Sequence, residues 1–339
     1  MNILGIESSC DDTAASVLTE AGVLSNVIAS QSVHIQFGGV VPELASRAHH
    51  QSISQTVDQA LSEAQIPIED IDGIAVTQGP GLMGSLLVGL SFAKGLALNY
   101  GIPLLGVNHM DAHIYANAIE HELTYPFIAL TVSGGHTQLT KVTAPFEHHI
   151  IGKTRDDAAG EAFDKIGKIL GLAYPAGPKI DALAQTGDPN FKKFPQGLVH
   201  EGLDFSFSGL KTSVLYYLQD QASETIQKDL PDICASVSEA ITEVLVIKLE
   251  RAMEEHNISH AVIAGGVSAN RMLREKINQL SARKSVTIHS PSMAFCTDNG
   301  AMIAQTGALL FKHAVVHLSP DEILQRGLSL HPYASQPSA

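Results

Sequence analysis

FIALTVSGGHTQLTKV, residues 127 to 142, is the stretch whose plan decides the fold, because that plan occurs twice. It reads as a strand, a Ser133-Gly134-Gly135 turn and a second strand. Residues 2 to 18, NILGIESSCDDTAASVL, give the same order: strand NILGIE, polar turn SSCDDT, strand AASVL. Each hairpin is followed by a matching module. In the first half, residues 46 to 64 predict an amphipathic helix, IDGIAVTQ a strand, GPGLMG a glycine turn and SLLVGLSFAKGLALNYG a helix. In the second half, residues 232 to 255 predict a helix, SHAVIAGG a strand into a glycine turn, and SANRMLREKINQLSA a helix. This is a structural duplication of two similar α/β domains facing each other. Ligands in such folds lie between the domains, at strand ends and helix N-termini. Glycine turns let backbone N–H groups approach an anion, and the helix dipole adds favourable potential, so a nucleotide in the cleft is expected.

The bulk numbers agree with a two-domain globular chain. It has 339 residues, 45% hydrophobic and 17% charged. No run of 18 apolar residues occurs and the N-terminus lacks the layout of a signal peptide, so no membrane association is expected. Cys10, Cys234 and Cys296 are few and scattered, which points to a reducing cytoplasm without disulfides. The net charge of −14 repels nucleic acid, so an RNA partner needs a local basic patch or a helper protein.

NHMDAHIYA, residues 108 to 116, raises the question of a metal. On a helix, His109 and His113 share one face, as a ligand pair requires. With 16 histidines in the chain such a pair is expected about once by chance, and His256/His260 and His313/His317 share the spacing. The first pair stands apart because it follows the strand-like IPLLGVN. A zinc-protease HExxH motif needs Glu where Met110 stands. A third ligand is available in Asp298 of FCTDNGAMIA, and two His with one carboxylate suit Fe(II) or Zn. The other reading of Asp298 is a helix N-cap. Spacing leaves both open.

Ten segments, in order, then carry a resemblance over nearly the whole chain: GIESSCDDTA, GGVVPELASRAH, TQGPGLMGSLLVG, NHMDAH, VSGGHTQL, DDAAGEAFDK, YPAGP, LDFSFSGLKT, AGGVSANRMLR and FCTDNGAMIA. The sequence resembles the tRNA N6-adenosine threonylcarbamoyltransferase family in its bacterial, TsaD-type branch, once described as O-sialoglycoprotein endopeptidases. The resemblance implies two duplicated RNase H-like domains in the actin-like ATPase (ASKHA) fold with an interdomain cleft. The expected lobes are residues 1–109 with 310–339, and 110–309 with inserted helices and a loop at 186–212. The implied activity moves the threonylcarbamoyl group of L-threonylcarbamoyl-adenylate to N6 of adenosine 37 in tRNAs reading codons that begin with A, releasing AMP.

The family's divalent metal, usually assigned as Fe(2+) with zinc the alternative, would fall on His109, His113 and Asp298. The adenylate pocket would fall on Thr131, Val132, Ser133, Gly134 and Gly135, completed by Asp164, Gly177, Asp181 and Asn270. Asp11 is the implied catalytic residue of the first turn. Two departures stand out: CDDTA where many relatives have CDETG, and Ala176 in YPAGP where YPGGP is commoner. The implied partners are tRNA, a paralogous TsaB-type subunit and a TsaE-type P-loop ATPase, with a separate enzyme supplying the adenylate. The small-residue helix around GLMGSLLVG could pack on the paralogue or serve as a core helix.

The chemistry fits the residues. The donor is already an activated anhydride, so the demands are positioning and exclusion of water. Cys10 is expected to be a small buried residue and not a nucleophile. Asp164 and Asp181 could bind hydroxyl or ammonium groups or be plain surface charge. Residues 190 to 212 interleave Lys192, Lys193 and Lys211 with Phe191, Phe194, Phe205 and Phe207, which suits RNA stacking or a loop anchored by a phenylalanine cluster. Competing readings are a sugar kinase or ATPase of the same fold and a non-catalytic scaffold.

Overall fold

The computed structural model describes residues 1–335. The chain divides into two compact units, Met1–Glu122 with Thr297–Ala339, and Leu123–Cys296.

The first unit begins with β1 (Ile3–Glu7), β2 (Asp12–Thr19) and β3 (Gly22–Ser30), an antiparallel meander. Helix α1 (Pro42–Ala64) leads to β4 (Gly73–Gly79), which pairs parallel to β1. Helix α2 (Met83–Tyr100) leads to β5 (Leu104–Asn108), parallel to β4, and the short helix α3 (His109–Tyr115) follows at once. The sheet order is β3-β2-β1-β4-β5.

The second unit repeats this order with β6 (Phe127–Val132), β7 (Thr137–Ala144) and β8 (Glu147–Lys153). Helices α4 (Ala159–Ile169), α5 (Gly177–Ala184), α6 (Ser208–Gln219), α7 (Ser223–Lys228) and α8 (Leu230–Glu255) precede β9 (His260–Ala264). Then α9 (Arg271–Lys284) and β10 (Thr287–His289) close the sheet as β10-β9-β6-β7-β8. Strand for strand this is the first sheet again, so the two halves are duplicated RNase H-like domains of the actin-like type. Finally α10 (Gly300–His313) and α11 (Pro320–Leu328) return to the first unit.

Strand β1 is buried along its whole length because helices cover both faces. Leu4 and Ile6 join Ile74, Val76, Ile53, Val57 and Leu90 in a core that includes α1 and α2. Ile3 and Ala75 join Met302, Ile303 and Ala304 of α10 in another. The approach of α10 depends on Gly5, where a Cβ would stand 2.4 Å from the Ala304 amide nitrogen and the Gly300 carbonyl.

The expected lobe boundaries are corrected. Cuts at 109/110 and 309/310 would fall inside α3 and α10, whereas the units part at 122/123 and 296/297. Both helices pack on the first sheet, since Ala112 of α3 and Met302 of α10 share a core with Ile3 and Val107.

Candidate functional site

In the first unit, β5 ends at Asn108, whose side-chain oxygen accepts from the Met110 and Asp111 amides at 2.8 and 3.2 Å. This cap starts α3 immediately after the strand. The Asn108 amide nitrogen in turn donates to the Tyr333 hydroxyl at 3.0 Å. One helical turn apart, His109 and His113 bring their ring centroids to 4.6 Å. Asp298 arrives from the turn before α10, with Oδ1 3.1 Å from His113 Nε2 and 3.6 Å from His109 Nε2. One potential ligand atom from each of the three lies within 4.8 Å of the others. The helix-cap reading of Asp298 fails for a specific reason: the cap of α10 is Asn299, whose Oδ1 accepts from the Met302 amide at 2.9 Å.

The donor set fits a metal. His113 is 1% exposed, and neither ring nitrogen makes a hydrogen bond. The 3.1 Å approach of its Nε2 to Asp298 is close without being aligned for one. A buried imidazole left in that state carries a desolvation cost that a coordinated cation would remove. Met110 is 2% exposed and turned into the core, so no carboxylate follows His109 as a protease base would.

Glu7, which the sequence reading did not single out, is fully buried at the end of β1 with Oε2 3.1 Å from His109 Nδ1. Burial disfavours a charge on His109, but Asp298 and Glu7 outweigh it and raise the imidazole to about 9. Burial would likewise push the Glu7 carboxyl up, and His109 reverses that, leaving it lowered. A lone acid closing an otherwise apolar strand, NILGIE, was the available signal.

The SSCDDT turn is pinned by buried His49. Its Nε2–H donates to the Cys10 carbonyl at 2.9 Å, and its Nδ1 accepts from the Thr13 hydroxyl at 2.7 Å. The Ser85 hydroxyl also donates to the Cys10 carbonyl, at 3.0 Å. Burial lowers the His49 pKa, consistent with that neutral tautomer. The turn presents Asp11 and Asp12, both half-buried. Burial, then the nearby Asp298, Asp11 and Glu7, push Asp12 up to about 6 against a hydrogen bond from Ser30. Burial followed by Asp11 and Asp298 drives the Cys10 thiol far above its usual range, so a thiolate nucleophile there is disfavoured.

In the second unit, β6 ends at buried Thr131 and Val132 and enters the Ser133-Gly134-Gly135 turn. The turn closes through Ser133 N–H to the His136 carbonyl at 2.8 Å and His136 N–H to Ser133 Oγ at 3.2 Å. Gly134 and Gly135 are exposed, with space around each Cα. The turn rests on the start of α4, where Gly160 N–H donates to the Ser133 carbonyl at 3.2 Å. Thr131 Oγ1 is buried without a hydrogen-bond partner. Gly265, with φ of 84°, carries the β9 turn onto the end of β6, where a Cβ would meet the Val132 carbonyl at 2.5 Å.

Asp164, Asp181 and Asn270 each accept a hydrogen bond from a backbone amide. Asp164 Oδ1 accepts from the Ala176 and Gly177 amides at 2.7 and 3.3 Å, at the start of α5. Burial nevertheless leaves its pKa raised. Asp181 Oδ1 accepts from the Arg271 amide at 2.9 Å, and Asn270 Oδ1 from the Leu273 amide at 2.9 Å, both at the start of α9. Each thus has a helix-start role in addition to any ligand contact. Ala176 needs no glycine: its φ is −91° and its methyl sits against Gly167, where a Cβ would be only 2.1 Å away.

Loop 186–212 favours the anchored-loop reading of its aromatics. Phe194, Phe205 and Phe207 are buried, and only Phe191 of the four is exposed, so the interleaved aromatics are chiefly an anchor. The Asp156 carboxylate accepts from Ser206 Oγ, the Phe207 amide and Ser208, and Lys248 donates to the Leu198, Glu201 and Gly202 carbonyls. Lys192 stands over the Tyr217 ring at 5.1 Å.

Among the described residues no helix is long and apolar enough to cross a membrane. In fold, the chain is similar to HypF from T. kodakarensis, at TM-score 0.62 and 14% identity over 95% of this chain and 49% of that one. It is also similar to component A of the Acidaminococcus fermentans (R)-2-hydroxyglutaryl-CoA dehydratase, at TM-score 0.55 and 14% identity over 91% and 96%. In sequence, it is 53% identical over 314 residues to the tRNA N6-adenosine threonylcarbamoyltransferase of Christiangramia forsetii, covering 91% of this chain and 92% of the relative. It is 49% identical over 338 residues to that of Salinibacter ruber, covering 98% and 99%. Residues 22–305 match the family pattern described as TsaD, tRNA N6-adenosine threonylcarbamoyltransferase. With matches of that length in that order of motifs, the chain belongs to the tRNA N6-adenosine threonylcarbamoyltransferase family.

Proposed function

We propose that the chain transfers the threonylcarbamoyl group of L-threonylcarbamoyl-adenylate to N6 of adenosine 37 in tRNAs reading codons that begin with A. The bond from the carbamoyl carbon to N6 forms, the bond from that carbon to the phosphate oxygen breaks, and AMP leaves with its phosphate. The observation that carries the reading is the gathering of His109, His113 and Asp298 in a member of this family. A sugar kinase of the same fold has no use for that set.

His109, His113 and Asp298 would hold one divalent cation, iron or zinc, whose chemistry is polarisation of a substrate oxygen. The remaining work falls to the chain's own groups. Gly134 and Gly135 offer exposed backbone N–H groups to the phosphate, and the buried Thr131 hydroxyl is unspent. Asp164, Asp181 and Asn270 keep a second polar atom each for ribose, base or threonyl groups, with Gly177 on the Asp164 side. Asp11 orients the amine or takes its proton.

For tRNA, Lys192, Lys193 and Lys211 with exposed Phe191 supply the local positive charge that the net −14 demands. A TsaB-type paralogue suits the outer side of α2, where Met83, Leu87 and Leu98 are exposed while Leu86, Leu90 and Ala93 are core. A TsaE-type ATPase follows from the family alone. Work on tRNA and three free cysteines fit a cytoplasmic setting.

The test is reconstitution with threonine, bicarbonate, ATP, an adenylate synthase, the partner subunits and unmodified tRNA, read by mass spectrometry of nucleosides. Formation of the threonylcarbamoylated adenosine that disappears with His113→Ala or Asp298→Ala is the expected result. Its absence with every component present would overturn the reading.

A further inference from the structure

Glu7 is the most costly side chain in the first unit to leave unexplained. It is 0% exposed, at the end of the central strand. An isolated carboxylate is not kept in such a place without donors. Its Oε1 accepts from the Ser9 amide, and its Oε2 accepts from the Thr77 hydroxyl at 2.7 Å and from His109 Nδ1 at 3.1 Å. Ser9 and Thr77 flank the carboxylate and fix its rotation, so the direction it offers to His109 is set by the sheet itself. Thr77 sits on β4, parallel to β1, and is also fully buried.

A carboxylate can only accept, so His109 must carry its proton on Nδ1 for this contact to be favourable. When the ring is neutral, as a metal ligand must be, that leaves Nε2 as the lone-pair nitrogen. Nε2 is also the atom on the Asp298 side, 3.6 Å from Oδ1. His113 has no equivalent support, since both its ring nitrogens lack hydrogen-bond partners. The two imidazoles are therefore unequal: one is oriented in advance by a hydrogen bond, the other has none behind it.

We propose that Glu7 is a positioning residue for His109, fixing its tautomer and ring angle so that Nε2 faces a cation, and adding a second negative charge behind the ligand. The inference rests on the metal reading given under Proposed function. Buried carboxylates behind metal-binding histidines raise ligand basicity and typically contribute 10- to 100-fold in affinity.

The experiment measures affinity of the full-length protein for Zn(II), and for Fe(II) without oxygen, by competition with a chromophoric chelator. Wild type, Glu7→Gln and His113→Ala are compared, with thermal midpoints alongside. Glu7→Gln should bind roughly 10- to 100-fold more weakly, beyond any change in midpoint. If His113→Ala loses the metal but Glu7→Gln binds like wild type, Glu7 is only structural and the inference fails while the metal site stands. If wild type and His113→Ala bind equally weakly, the metal reading fails and takes the inference with it. Imidazole nitrogen shifts of the metal-free wild type give a check that needs no variant: a proton on His109 Nε2 with Nδ1 bare would overturn the proposal.

Discussion

Gly160→Ala tests whether the Ser133-Gly134-Gly135 turn is held by close packing on α4. A Cβ at residue 160 would lie 2.5 Å from the Ser133 carbonyl oxygen and 2.8 Å from Gly134 Cα. Both obstacles are backbone, so no side chain can rotate away. Restoring an ordinary contact requires the turn to retreat by about 1 Å. Overpacking of this kind costs about 1–3 kcal/mol, and the better helix propensity of Ala returns at most about 1 kcal/mol. The net loss of about 1–2 kcal/mol should lower the thermal midpoint by a few degrees, at about 2–4 °C per kcal/mol for a unit of this size. The larger effect is on the donors. A misplacement of about 1 Å costs up to about 100-fold in an oriented reaction. Steady-state modification assays should show the adenylate KM rising at least about 10-fold, while metal affinity in the first unit stays unchanged. An unaltered KM together with an unaltered midpoint would refute the claim that this turn is seated by Gly160.

Three further outcomes follow from the same structure. Gly167→Ala should destabilise by about 1–3 kcal/mol, because its Cβ would lie 2.1 Å from the Ala176 methyl; in an Ala176→Gly background the same change should become neutral or stabilising, and a double-mutant cycle by denaturation that finds no coupling would reject the contact. Asp12, raised to about 6, contributes stability that is complete below its unfolded pKa near 3.8 and is lost as pH rises through 6. In chelator-treated protein, Asp12→Asn should therefore match wild type near pH 4 and exceed it by about 2–3 kcal/mol at pH 7, by calorimetry; equal stability at both would contradict it. Reversing charge at Lys192 and Lys193 should weaken tRNA binding more at low salt than at high salt in a titration, and an unchanged affinity would assign that loop a structural role only.

The duplication was legible because NILGIE and FIALTV are both largely apolar strands ahead of polar turns, and because IDGIAVTQ and SHAVIAGG repeat the next step. The edge strands were harder to see. EHHIIGK forms β8 although much of it is polar, since an edge strand needs little burial to pair, and the three-residue β10 is too short to carry a period. The His109/His113 pair was visible from spacing, whereas Asp298 required the fold to bring it there from 185 positions beyond His113. The distinction between Asp298 as candidate ligand and Asn299 as cap was invisible in TDNGAMIA, where either residue type can cap. Glu7 was missed because the one available signal, an acid closing a largely apolar strand, does not say that the acid is buried. The aromatic run at 190–212 left two readings open for a related reason: spacing does not say that Phe194, Phe205 and Phe207 turn inward.

Tyr333 lies well beyond the last residue that the family pattern matches, yet its hydroxyl holds the amide of Asn108, the residue that starts the helix bearing both histidines. Its backbone amide also bonds the Gln78 carbonyl, and the Gln78 side chain bonds the His331 carbonyl at 2.8 Å. A fragment trimmed to residues 22–305 would lose this tether together with β1, the middle of its sheet. The span of the family pattern is thus smaller than the piece of chain that builds this sheet, and a shortened gene product cut to that span would expose apolar sheet instead of yielding a minimal enzyme.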